Sequence, residues 1–156
     1  MRPLNIGIIG LGTVGMGLIK CLIDNKEIIK SKSEREISIA AICAKNKNKK
    51  RDLDIGNLKW VQDPFDITDD KEIDVVVELI GGDENPSKSI VEKSLLNKKH
   101  VVTANKALIA KHGHYLALLA EEQQVCLNFE AAVAGAIPII KAIKESLSGN
   151  VISKVY

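Results

Sequence analysis

The chain has 156 residues, of which 46% are hydrophobic and 27% charged, with a formal net charge of +2. That is enough for one domain with a sizeable core, and near-balanced charge with only 3% aromatic residues argues against a nucleic-acid partner. Cys21, Cys43 and Cys126 form no metal-ligand spacing and no disulfide framework, and membrane-length apolar runs and a signal-peptide pattern are absent from the sequence. The expectation is a cytosolic protein, with no membrane partner, in which Cys21 and Cys43 are small core residues.

In chain order, an apolar run from Leu4 to Gly10 predicts a first strand, and Val14, Leu18, Cys21 and Leu22 predict one buried face of the helix after it. Residues 24–35 are polar and basic and read as a helix end and surface loop. Ile37, Ile39, Ala41 and Ile42 predict a second strand. The basic run 45–51 reads as a solvated loop, Trp60-Val61 as a short third strand, and Pro64 as part of a loop. Ile73 to Ile80 is a strong strand ending at Gly81-Gly82. Asn85-Pro86 predicts an N-cap with proline at the first helical position, before a helix whose buried stripe is Ile90, Val91, Ser94 and Leu95. His100 to Thr103 predicts a strand, Tyr115 to Gln123 a helix resting on Leu116, Leu119 and Ala120, and Val125 to Phe129 a further strand. A last helix starts near Pro138, carries Ile139, Ile140, Ile143 and Leu147, and ends at Gly149. Residues 151–156 read as the start of another strand, an edge that a larger architecture would cover. Strands alternating with helices predict an α/β fold: a Rossmann-type, doubly wound, mostly parallel sheet.

The most informative segment is Gly10-Leu11-Gly12-Thr13-Val14-Gly15. G-x-G-x-x-G alone is a weak signal, but here a strand precedes it and a helix follows. Gly10 suits a tight turn, Gly12 lets backbone approach a pyrophosphate, Gly15 allows close helix–strand packing, and the helix N-terminus offers amides to phosphate. The alternative is a glycine-rich turn without a ligand. In such a sheet ligands gather at the carboxyl ends of the strands. Ile80-Gly81, Thr103 to Lys106, and Glu130 to Ala136 are the other strand-end segments that would converge there.

After the second strand comes Lys45, with no carboxylate until Asp52, which suits the 2′-phosphate of NADP better than the bare ribose of NAD. A solvated basic loop is the plainer reading. Lys106, at a helix start after Asn105, can orient a substrate hydroxyl and help move its proton, or can simply be a surface lysine. Glu130 can serve a monovalent cation or a helix N-terminus. His112 and His114 fall on opposite sides of a helical turn with no third ligand in view.

These segments resemble homoserine dehydrogenase: Gly-Leu-Gly-Thr-Val-Gly at 10–15, Val-Val-Glu-Leu-Ile-Gly-Gly at 76–82, His-Val-Val-Thr-Ala-Asn-Lys-Ala-Leu-Ile-Ala at 100–110, and Phe-Glu-Ala-Ala-Val-Ala-Gly-Ala-Ile-Pro-Ile-Ile at 129–140. The resemblance implies NAD(P)-dependent interconversion of L-homoserine and L-aspartate 4-semialdehyde, in threonine and methionine biosynthesis. By it, Gly10 to Gly15 bind the dinucleotide. Lys45 stands where the family often has arginine, so NADP(H) is favoured but without the bidentate fork. Ile80, Gly81, Thr103 and Lys106 line the nicotinamide side, with Lys106 also near the substrate hydroxyl. Glu130 and the carbonyls of Val133, Gly135 and Ile137 match a monovalent cation site, usually sodium. The family is richer in glycine around 134–136, so Ala134 and Ala136 are tolerable unless φ is positive there.

The resemblance also implies residues 1–136 as the NAD(P)-binding domain and 137–156 as the start of a substrate and dimerisation domain. That further domain carries the substrate's amine and carboxylate contacts and a second catalytic lysine. The expectations are a homo-oligomeric full enzyme and a chain that binds cofactor but is inactive alone. The rival expectation is a stand-alone dinucleotide-binding regulatory module without catalysis.

Overall fold

The computed structural model describes residues 2–135 and 137–154. Its elements are β1 (Leu4–Ile9), α1 (Thr13–Asp24), α2 (Lys26–Ser33), β2 (Ile37–Cys43), α3 (Pro64–Asp69), β3 (Val75–Glu78), α4 (Ser87–Leu96), β4 (His100–Thr103), α5 (Lys106–Glu122) and β5 (Leu127–Asn128). A single 3₁₀ turn at Glu130–Ala132 follows. A short helix α6 (Ile139–Lys141) then widens into a π-type turn at Ala142–Ser146. None of the helices among the described residues is long and apolar enough to cross a membrane.

The five strands are all parallel, in the order β2-β1-β3-β4-β5. The expected third strand is reduced to one bridge, Trp60 against Ile42, held by Ile42 N–H to Lys59 O and Val61 N–H to Ile42 O. Counting that remnant outside β2 restores the doubly wound order, which reverses direction between β1 and β3. Before Trp60, Leu53, Ile55 and Leu58 pack against the core without pairing, in a stretch broken by Asp52, Asp54 and Gly56.

Alternation along the strands divides the core. Ile6, Ile8, Val75 and Val77 join Ile19 of α1 on one face, whereas Ile9, Val76 and Cys43 join Ile67 of α3 and Ile90 of α4 on the other. Val101 and Leu127 pack beneath Val91 and Leu95 of α4 and Leu108, Leu116 and Leu119 of α5. Burial pushes the Cys43 thiol above its ordinary pKa.

Several expectations are corrected. On α1 the buried residues are Gly15 and Ile19, while Val14 and Cys21 are exposed. Gly15 lies so close to the β1 turn that the contact face rotates onto it and onto Ile19 one turn later. Residues 24–35 hold α2, and Pro64 opens α3 at its first position, with the Asp63 side chain capping the Phe65 amide at 2.8 Å. Pro86 is itself the N-cap of α4, one residue earlier in the helix register than expected, although the stripe Ile90, Val91, Ser94 and Leu95 is fully buried. α5 begins at Lys106 rather than near Tyr115, because Asn105 caps it, accepting from the Leu108 amide at 3.1 Å. β3 and β5 are shorter than expected. The last helical stretch leaves Ile139 and Leu147 exposed. Residues 151–154 form no strand, and Val155 and Tyr156 lie outside the described residues.

Candidate functional site

The β1–α1 turn is built from backbone. Gly10 has φ +107° and donates its N–H to Cys43 O at 2.8 Å; a Cβ there would sit 2.6 Å from the Leu79 backbone. A Cβ on Gly15 would lie 2.1 Å from the Gly10 carbonyl oxygen, so these two glycines lock α1 against β1 and β3. Gly12 is different: a Cβ there meets nothing within 4 Å. It is the N-cap of α1, which has no side-chain cap and no acidic residue in its first turn. Leu11 is buried, whereas Thr13 and Val14 are exposed beside the helix N-terminus. The first amides of a twelve-residue helix therefore face open space, with the positive end of the dipole behind them. That cradle fits a pyrophosphate.

Beyond β2, Lys45 is exposed and has no ion pair among the described residues. The loop after it is more ordered than a solvated run. Arg51 donates to the carbonyls of Asn46 (2.8 Å), Lys47 (3.1 Å) and Lys49 (2.9 Å), and its guanidinium lies 5.3 Å from the centroid of the Trp60 ring. The basic run is thus wound around one arginine, which leaves its lysines outermost.

The loops after β3 and β4 meet through a buried polar cluster. Glu78, the last residue of β3, is 0% exposed. Its Oε1 accepts from the Ile80 amide (2.8 Å), the Gly81 amide (3.3 Å) and Ser87 Oγ (2.6 Å), and its Oε2 from Thr103 Oγ1 (2.6 Å). Thr103 Oγ1 in turn accepts from the Asn105 amide, and Asn105 Nδ2 donates to Gly82 O (2.6 Å) and Ser87 Oγ (3.0 Å). Gly81 and Gly82 have φ of +87° and +90°, conformations open to glycine. Farther along α5, Lys111 donates to Asp83 and Glu84, which draws both carboxyl groups below the ordinary range and raises the ammonium. Lys106 stands exposed in the first turn of α5, where the helix dipole disfavours a cation. It has no ion pair among the described residues.

After β5, Glu130 accepts from the amides of Ile140 and Lys141, each at 3.1 Å, and so serves the N-terminus of α6. The Gly135 and Ile137 carbonyls each accept from an amide two residues on, at 2.8 Å. Ala134 has φ +54°, the condition under which its methyl group is strained; Ala136 lies outside the described residues.

Gly10 to Gly15, Ile80 and Gly81, Thr103 to Lys106, and Glu130 therefore follow four adjacent strands, and Lys45 follows the next one outward, all on one edge of the sheet. Glu78 and Ser87 are not singled out by strand ends alone, whereas Asn105 lies in the strand-end segment Thr103 to Lys106. The available signal was a carboxylate inside the apolar run from Ile73 to Ile80.

Residues 10–130 match the family described as "Homoserine dehydrogenase, NAD binding domain". The chain is 48% identical over 155 residues to the homoserine dehydrogenase of Neisseria gonorrhoeae, covering 99% of this chain and 35% of that protein. It is 50% identical over 150 residues to that of Pseudomonas aeruginosa, covering 96% and 34%. Among solved structures, a homoserine dehydrogenase from Thiobacillus denitrificans superposes with a TM-score of 0.88 at 46% identity, over 96% of this chain and 34% of that one. The S. aureus enzyme does so with a TM-score of 0.81 at 43% identity, over 86% and 33%. The chain thus spans about a third of the length of the curated relatives it matches.

Proposed function

The chain belongs to the homoserine dehydrogenase family, and from that premise we propose that it is the dinucleotide-binding part of an NAD(P)-dependent homoserine dehydrogenase. On this reading residues 1–136 are the cofactor domain and 137–156 begin the substrate and dimerisation domain of a cytosolic homo-oligomer. The substrate pair is L-homoserine and L-aspartate 4-semialdehyde. The observation that carries the reading is the open cradle at Gly12, placed where the strand order reverses between β1 and β3.

The nicotinamide, when bound, supplies the hydride acceptor or donor. The chain's own part is to bind and orient. The α1 amides hold the pyrophosphate, and Lys45 faces the 2′-phosphate and favours NADP(H) over NAD(H). Ile80, Gly81 and Thr103 bound the nicotinamide side. Lys106 meets the substrate hydroxyl and holds or moves its proton as the carbon–hydrogen bond breaks. Its exposed place in the first turn of α5, at the carboxyl end of β4, supports this role. Glu130 and the carbonyls of Val133, Gly135 and Ile137 are the donors for a monovalent cation. In the arrangement described the carboxylate instead serves the α6 amides, so that donor set fits only in part.

Titration with NADPH and NADH, followed by nicotinamide fluorescence, tests the binding reading: NADPH binds more tightly, and equal or tighter NADH binding overturns the preference. Residues 1–156 alone should oxidise homoserine with NADP only negligibly. Lys106 addresses one hydroxyl, whereas orienting both ends of a small zwitterion supplies about 7–11 kcal/mol of catalysis. Turnover of about 1 per second or more by these residues alone, read as absorbance of the reduced cofactor, would show that they hold a complete site.

A further inference from the structure

We propose that Glu78 is a positioning residue that sets the nicotinamide half of the site and leaves the adenosine half untouched; this rests on the dinucleotide reading above. Four residues assigned to the nicotinamide side trace back to this one carboxylate. The Ile80 and Gly81 amides and Thr103 Oγ1 donate to it directly. Lys106 follows Asn105, whose amide bonds Thr103 and whose side chain reaches Ser87 and Gly82.

A buried carboxylate contributes little net stability compared with an apolar side chain of the same volume. What Glu78 supplies is geometry. Gly81 and Gly82 are adjacent glycines with positive φ whose absent side chains leave open space, so packing alone does not fix them. The Ile80 and Gly81 N–H groups are held by Glu78 and the Gly82 carbonyl by Asn105 Nδ2, so hydrogen bonds from inside fix the course of this loop. The same carboxylate ties this loop to Ser87 at the start of α4 and to Thr103 at the end of β4, joining three elements with donors from each. The glycine turn at Gly10–Gly15 and the Arg51-wound loop carry no hydrogen bond to Glu78 among the described residues.

The test compares NADPH with 2′-phospho-ADP-ribose, which keeps the adenosine half and lacks nicotinamide. In Glu78→Gln one acceptor oxygen is replaced by a donor, so at least one of the four bonds is lost. NADPH affinity should fall about tenfold, the effect of one lost buried hydrogen bond, and the nicotinamide fluorescence change should shrink. Affinity for 2′-phospho-ADP-ribose should stay within about twofold of wild type, the spread expected of a contact not made. Ser87→Ala, which keeps the carboxylate and removes one donor, should show the same split at smaller amplitude, and it carries the test if Glu78→Gln does not fold. Equal loss of both ligands in a variant with an unchanged melting curve, or no loss of either, overturns the proposal. Failure of the wild-type protein to bind either ligand overturns the dinucleotide reading itself.

Discussion

The two edges of the sheet use their charges differently. At the amino edge, Asp74 accepts the Asn5 amide at 2.9 Å and both guanidinium nitrogens of Arg2, at 3.1 and 2.5 Å, with Arg35 3.8 Å away. Lys99, only 5% exposed, donates to the carbonyls of Asp70 (2.5 Å) and Ile73 (2.8 Å), and burial lowers its pKa despite Asp69, Asp70 and Asp74 nearby. At the carboxyl edge, Lys45 and Lys106 are exposed without ion pairs among the described residues, and the amides opening α1 lack a cap. A cavity of about 590 Å³ lies at the amino edge; in its lining Arg2, Arg35 and Asp74 serve one another and Lys99 serves backbone carbonyls, whereas Lys71 and Lys98 are exposed without ion pairs among the described residues. Neither concavity nor unpaired lysines therefore locate the site here; the open, uncapped N-terminus of α1 at the strand-order reversal does. At one edge the buried charges Asp74 and Lys99 are satisfied within the fold, and at the other helix amides are left open to an anionic ligand.

This contrast can be broken by substitution. The largest effect is expected at Gly15, where both edges depend on helix placement: Gly15→Ala drives a methyl group to 2.1 Å from the Gly10 carbonyl oxygen. It should lower stability by more than about 3 kcal/mol, since the obstacle is backbone and not a flexible side chain; chemical denaturation measures it. A loss below about 1 kcal/mol would mean that α1 can move away freely.

Gly12→Ala separates binding from folding. Its Cβ has open space around it and its φ is −79°, so stability should change by less than about 0.5 kcal/mol. Dinucleotide affinity should fall tenfold or more because the methyl group enters the pyrophosphate cradle, an effect of about 1.4 kcal/mol or above. Calorimetric titration with NADPH reads it, and unchanged affinity would remove the phosphate from this turn.

Lys45→Glu should weaken NADPH more than NADH, by roughly 1 kcal/mol of like-charge repulsion at an exposed site, with the difference shrinking at high salt. Parallel loss of both cofactors would mean that Lys45 does not face the 2′-phosphate.

The smallest effect belongs to the amino edge. Burial pushes the Asp74 carboxyl up, but the Asn5 amide and the Arg2 and Arg35 guanidiniums outweigh it and hold the pKa below the ordinary range. A carboxyl whose folded pKa is depressed binds fewer protons than in the unfolded chain. Its stabilisation is therefore complete above the unfolded value of about 3.9 and is lost as pH falls through the lower folded value. Asp74→Asn should cost about 1 kcal/mol at neutral pH, flatten stability against pH across that window, and leave NADPH affinity unchanged. A change in affinity would couple the edges and dissolve the distinction.

Much of the carboxyl edge was legible in the residues themselves. The glycines at 10, 12 and 15 announce a turn between strand and helix because other side chains cannot occupy two of those positions. The β-branched run Val75–Val77, bounded by Gly81-Gly82, announces a strand by composition, and the stripe Ile90, Val91, Ser94 and Leu95 announces a helix by period. The absence of a carboxylate near Lys45 could also be read directly. What the sequence concealed depended on neighbours distant along the chain. Val14 and Cys21 look like core residues until Gly15 presses α1 onto the Gly10 carbonyl and turns them outward. Arg51 looks like one more solvated cation until Trp60, brought beside β2 by a single bridge, gives it a surface to lie on. Glu78 looks like a flaw in an apolar strand until Ser87 and Thr103, 9 and 25 residues away, arrive to bond it. Periodicity and backbone sterics are local, so the sequence alone determined the elements and the glycine turn. Satisfying a buried polar group needs partners from several elements at once, so only the tertiary structure decided which charges the fold consumed and which it left facing the crevice.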